Sequence, residues 1–92
     1  MAHALVLPTT LTLNQANAFV LAHAKLIEAD VSAQVAVDAS ALTQFDSSAL
    51  AALLEMRRQA LAAGKSFLVT GQSQRLRDLA GLYGVTPLLG AG

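Results

Sequence analysis

Residues 35–54 read VAVDASALTQFDSSALAALL, and this stretch decides the fold. It opens on a β-branched, apolar run bounded by Gln34 and Asp38, the pattern of a buried central strand. A short connection follows, in which Leu42 and Phe45 are expected to plug the core. From Ser47 the period changes to that of a helix: Leu50, Leu53, Leu54 and Leu61 fall on one stripe, at i, i+3, i+4 and i+11, expected to face a sheet. Two hydroxyls, Ser47 and Ser48, therefore stand at a helix N-terminus directly after a core strand. The free N–H groups and positive dipole end there suit an anion, including a phosphate carried on a serine. Capping is the plainer role, either by a serine or by Asp46 with the serines in the first turn. On the same helix Ala49, Ala52, Met56, Gln59 and Ala63 form a second, small and weakly polar stripe. Two readings of it stay open: a protein contact around Ser47, or core.

Working outward, residues 4–7 form a short apolar run stopped by Pro8 and read as an opening strand. Thr9, Thr10 and Thr12 offer hydroxyls before a helical pattern that starts near Asn14 and places Phe19, Val20, His23, Ala24 and Ile27 on one face. On the other side, Gly64 is expected to stop the serine-led helix as a residue in the left-handed region. Residues 66–70, SFLVT, read as a second strong strand. A third helix then carries Leu76, Leu79, Ala80 and Tyr83 up to Gly84, and residues 85–89 read as a short last strand. Strands alternating with helices imply one α/β domain over residues 1–92, with crossover connections and helices packed on a sheet.

Composition narrows the function. Apolar residues make up 54% of the 92 and aromatics 4%, so the core is built from Ala, Leu and Val. The formal net charge is zero, which argues against nucleic acid as the main partner, since phosphate binding needs a clustered positive field. Acidic residues dominate up to Asp46 and basic ones after it: Arg57, Arg58, Lys65, Arg75 and Arg77 oppose only Glu55 and Asp78. This basic half is read first as solvated helix faces and second as a patch for an acidic partner or anionic headgroups. The chain has no cysteine, which excludes disulfides and thiolate chemistry and fits a reducing cytoplasm. No apolar run approaches the ~18 residues of a membrane span, and the opening MAHALVLP lacks the layout of a signal peptide.

Catalysis is not expected. The only bases for a serine nucleophile are His3, placed in a frayed terminus, and His23, placed within a helix. There is no G-x-S-x-G elbow, and Gly64-Lys65-Ser66 matches only the last letters of a phosphate-binding loop, with Gln59 where its first glycine would stand. Two histidines and scattered carboxylates supply no metal-ligand spacing, and no cofactor is implied.

Lined up in order, Val35-Ala36-Val37-Asp38-Ala39-Ser40, Phe45-Asp46-Ser47-Ser48-Ala49-Leu50 and Gly64-Lys65-Ser66-Phe67-Leu68-Val69 resemble the STAS domain, the fold of anti-sigma-factor antagonists. That family runs hydrophobic strand, D-L-S, short loop, D-S-[ST]-G, then a leucine-rich helix ending at glycine. The ending Leu79-Ala80-Gly81-Leu82-Tyr83 is similar to MlaB-like members. The resemblance implies a mixed β-sheet of about four strands with three to four helices packed on it, and a shortened or missing N-terminal edge strand.

It also implies a non-enzymatic, cytoplasmic subunit held at the inner membrane only through its partner. That partner is the ATPase of an ABC transporter that moves phospholipids and maintains outer-membrane lipid asymmetry. Asp46, Ser47, Ser48, Ala49, Ala52 and Met56 would form the contact. In the alternative, an anti-sigma-factor antagonist, Ser47 (or Ser48) is the phosphorylated switch read by an anti-sigma kinase. Ala49 replaces the family's glycine, which is expected to shield the helix start from a kinase. A shortened N-terminal strand would also bare a sheet edge, a place for homodimer pairing.

Overall fold

The computed structural model describes residues 3–29 and 33–89. Three strands form the main sheet: β1 (His3–Val6), β3 (Gln34–Asp38) and β5 (Ser66–Thr70), in the order β1-β3-β5. Two-residue strands β2 (Thr10–Leu11) and β4 (Gln44–Phe45) form a second small sheet. Every pairing among these strands is parallel, so the α/β expectation holds while the sheets, two small ones, are parallel rather than mixed. His3 opens β1 opposite Val35 instead of lying in a frayed end. β1 is four residues long and occupies a sheet edge, as a shortened N-terminal strand would.

Alternation along β3 explains the layering: Val35 and Val37 are buried while their neighbours are half-exposed. With Leu5, Leu7 and Val69 they make one face of the core. Helix α2 (Ser47–Ala62) packs against β5 and runs along α1 (Leu13–Ala29); α3 (Gln74–Leu82) joins through a closing 3-10 turn, Thr86–Leu89.

Local chemistry sets the helix ends. At the start of α1 only half of a capping box forms: the Gln15 side-chain oxygen accepts from the Thr12 N–H at 3.3 Å and from the Thr12 hydroxyl at 2.5 Å, while the Thr12 carbonyl accepts from the Ala16 N–H at 2.9 Å. At the far end of α2, Gly64 has φ +76, the Lys65 N–H donates to the Ala60 carbonyl at 2.9 Å, and the Gly64 N–H donates to Leu61 at 3.0 Å. That is a Schellman stop, and only glycine enters it without a Cβ penalty. The same pair of bonds closes α3, from Val85 to Ala80 and from Gly84 to Gly81.

Two further expectations are corrected. Residues 85–89 are not a strand: the Leu88 N–H donates to the Val85 carbonyl, an i→i+3 bond, and Pro87 has no N–H to give a sheet ladder. Leu89 still reaches the core and is fully buried. Leu61 does not extend the buried stripe; it is 47% exposed, and Ala60 faces inward in that turn.

Candidate docking site

The connection that aims the start of α2 is held from two sides. The Thr43 and Gln44 N–H groups both donate to the Thr9 carbonyl at 2.9 Å, and Leu42 is buried beneath them. From the other side Arg75 donates to the Thr43 carbonyl at 3.0 Å, and its guanidinium lies 4.6 Å from the centre of the Phe45 ring. At the head of the connection, hydrogen bonds from the Ser40 side chain and backbone hold the Asp38 carboxyl below the usual carboxylate range, the N–H at 2.8 Å.

Asp46 is the N-cap of α2. Its backbone is extended, its side chain accepts from the Ser48 N–H at 2.9 Å, and its carbonyl accepts from the Ala49 N–H at 3.0 Å. The serines are thus the first two residues of the helix, and capping is not the work of Ser47. Ser47 is exposed; Ser48 is half-buried. An Asp46→Ala variant is expected to lose about 0.5–2 kcal/mol, against near-neutral behaviour of Ser47→Ala, in chemical denaturation.

Of the six residues expected at a contact, the structure brings Asp46, Ser47 and Ser48 together at the surface and takes the other three inside. Ala49 and Met56 are fully buried, and Ala52 is buried at 4% exposure. The Ala49, Ala52 and Met56 part of the second stripe is therefore core, because the helix is covered by β5 and by α1 at once, while Gln59 is half-buried and Ala63 exposed. Small residues there let α1 approach closely. Since Ser47 remains exposed, the Ala49 methyl does not shield it.

Two apolar grooves flank the helix start. One, of about 360 Å³, lies between α1 and α2 and includes Leu13, Val20, Leu21, Ser48 and Ala51 in its lining. The other, of about 320 Å³, lies between α2 and the end of α3 and is lined by Ser47, Leu50, Ala51, Leu54, Tyr83 and Val85. Leu13 and Leu21 on one side, and Leu82, Tyr83 and Leu88 on the other, remain exposed. Val6 and Leu61 are exposed elsewhere, so only Leu13, Leu21 and Tyr83 of the exposed large apolar residues line these two grooves. Sequence periodicity missed the α1 side, although one signal was available: no charged side chain precedes Lys25.

The basic half does not gather into one patch. Lys65 is buried, Arg57 is half-buried, Arg58 donates to Glu55 at 2.9 Å, and Arg75 is engaged at Phe45. His23 is likewise committed: its Nδ1 lies 2.8 Å from the Phe19 carbonyl and its ring stacks on Phe19. No group of three metal-ligating side chains occurs among the described residues. Nor is any helix among them long and apolar enough to cross a membrane.

The parallel α/β core carries an Asp-capped, serine-led helix between two apolar grooves, and a family model described as "Mlab, STAS domain" matches residues 2–90. The chain is a STAS domain of the MlaB-like family. No curated protein matches it. STAS domains are in general non-enzymatic binding domains.

Proposed function

We propose that this STAS domain docks on the ATPase subunit of an ABC transporter for phospholipids and stabilises it, with the start of α2 at the contact. The observation that carries this reading is Ser47: exposed, relieved of capping by Asp46, and set on the rim of an apolar groove beside a second one. Such a point, polar at the centre with apolar flanks, supplies orientation through the hydroxyl and free energy through the grooves. The membrane is reached only through the transporter in this reading. Support for a lipid transporter as the setting comes from the MlaB-like family membership.

The test is binding of the purified domain to the transporter's ATPase subunit by calorimetry. Ser47→Arg is expected to weaken binding at least about tenfold while costing the fold at most about 1 kcal/mol, the penalty of a cation in the first turn of a helix at an exposed site. Unchanged affinity would overturn the reading.

The exposure of Ser47 also favours a second one, an anti-sigma-factor antagonist switched by phosphorylation. A phosphate adds about 1.5 to 2 negative charges, is tolerated at a helix N-terminus, and breaks a contact made there by repulsion and desolvation. Modification of Ser47 by an anti-sigma serine kinase, with loss of binding between the two, would select this reading over the transporter.

A further inference from the structure

The start of α3 faces the connection into α2 across open space. A cleft of about 270 Å³ lies there, lined by Leu42, Thr43 and Phe45 from the connection and by Ser73 and Arg75 from α3. Arg75 spans it: the guanidinium donates to the Thr43 carbonyl at 3.0 Å and lies 4.6 Å from the centre of the Phe45 ring. Phe45 in turn adjoins Asp46, the cap of α2.

Arg75 is poorly placed to serve its own helix. It stands in the first turn of α3, where the positive end of the macrodipole repels a cation. The side chain is exposed, so it adds little to the core. What it does supply is a second hold on the connection. On the opposite side β4 is paired to β2 over two residues only, with the Thr43 and Gln44 N–H groups on the Thr9 carbonyl. A strand that short, tied along one edge, is free to rock about that edge. A planar guanidinium that stacks on a ring and donates to a carbonyl at once removes the freedom.

We propose that Arg75 is the positioning residue of the docking point: from α3 it fixes the connection at Thr43 and Phe45, and through Asp46 it fixes where Ser47 stands. Its use in docking rests on the reading proposed above, while its hold on the connection does not. A docking point set in place before the partner arrives loses less freedom on binding.

Amide–water exchange in the free, full chain is the test, read beside calorimetry with the ATPase subunit. In Arg75→Ala the amides of Thr43, Gln44 and Ser48 are expected to exchange about tenfold faster, with those of Val37 and Val69 and the urea midpoint unchanged. Affinity for the ATPase subunit is expected to fall about fivefold. Arg75→Lys keeps the charge without the planar fork and is expected to leave exchange raised at the same three amides. Unchanged exchange at those amides overturns the proposal, including when affinity still falls, since Arg75 then touches the partner itself. Faster exchange throughout β3 and β5 with a lower midpoint makes Arg75 an ordinary stabilising contact and overturns it too, as does full protection in Arg75→Lys. Local loosening in Arg75→Ala, with no binding of an ATPase subunit by the unmodified chain, keeps the positioning role and counts against the ATPase.

Discussion

Met56→Ala is expected to destabilise the domain by about 2–5 kcal/mol, the range for emptying a buried methionine site. A domain of this kind has about 5–15 kcal/mol in total, so the variant sits close to unfolding. The reason is position: Met56 is fully buried on α2, in the same core cluster as Leu53, Ala52 and Ala60. Truncation leaves a void between elements that cannot all close on it, and the lost dispersion contacts are not replaced. Urea unfolding is the measurement, with a fall in midpoint at unchanged slope. Leu61→Ala is the companion, expected to stay within about 0.5 kcal/mol because that side chain is already largely in water. The opposite pattern, a stable Met56→Ala that no longer binds a partner, is what the contact reading of the alanine and methionine stripe requires. The full burial of Met56 argues against that pattern, and the measurement decides it.

The same stripe shows where sequence reasoning loses its footing. The longer strands, the two candidate caps of α2 and the Gly64 stop were legible because their causes are local: alternation at Val35 and Val37, an Asp before two serines, a glycine where φ turns positive; the two-residue strands β2 and β4, set by long-range pairing, were not. The buried side of α2 was only half legible. A surface helix has one apolar arc, but α2 packs on β5 and α1 together, so its buried set runs through Ala49, Leu50, Ala52, Leu53, Met56 and Ala60. Alanine carries too little hydrophobic signal to say whether it lines a core or a contact. Residues 85–89 failed for a related reason: two leucines suggested a strand, while Pro87 and the bond from Leu88 to Val85 settle a 3-10 turn.

For the candidate site, the polar centre at Asp46, Ser47 and Ser48 was readable in the sequence and the apolar surroundings were not. The grooves exist only once α1 and α3 are laid beside α2, a long-range arrangement that no local period encodes. Their exposed leucines, Leu13 and Leu21, sit in a helix whose pattern pointed to Phe19 and Val20 as the inward face. An exposed leucine beside the inward-facing Phe19 and Val20 looks like noise until its neighbours are known; the side chains of Ala24 and Ile27, expected on the same face, lie outside the described residues.

Gly71→Ala is expected to cost about 2–5 kcal/mol, and the comparison with Gly64→Ala identifies why. Both glycines have positive φ, +66 and +76, so alanine at either pays the left-handed penalty of about 1–2 kcal/mol. At Gly64 a new Cβ meets nothing within 4 Å, and the cost stops there. At Gly71 it would stand 2.9 Å from the Ser40 Cβ, 3.0 Å from the Ser40 nitrogen and 3.1 Å from the Asp38 Oδ1. All three belong to one turn, and two of them are the donor and acceptor of its 2.8 Å bond from the Ser40 N–H to Asp38; β5 is tied to the same turn by the Ala39 N–H to the Thr70 carbonyl at 2.8 Å. Neither side can retreat without breaking a bond that ends a strand, which adds about 1–3 kcal/mol of overpacking. The displacement has one direction to travel: Ser40 opens the connection that runs through Leu42 and Phe45 to Asp46, the cap of α2. Amide spectra of Gly71→Ala are therefore expected to shift at Ser40 and again at Ser48, whose N–H is held by Asp46, while Gly64→Ala leaves both in place. If the two variants lose equal stability and neither moves Ser48, the close approach at Gly71 does not govern where the serine-led helix begins.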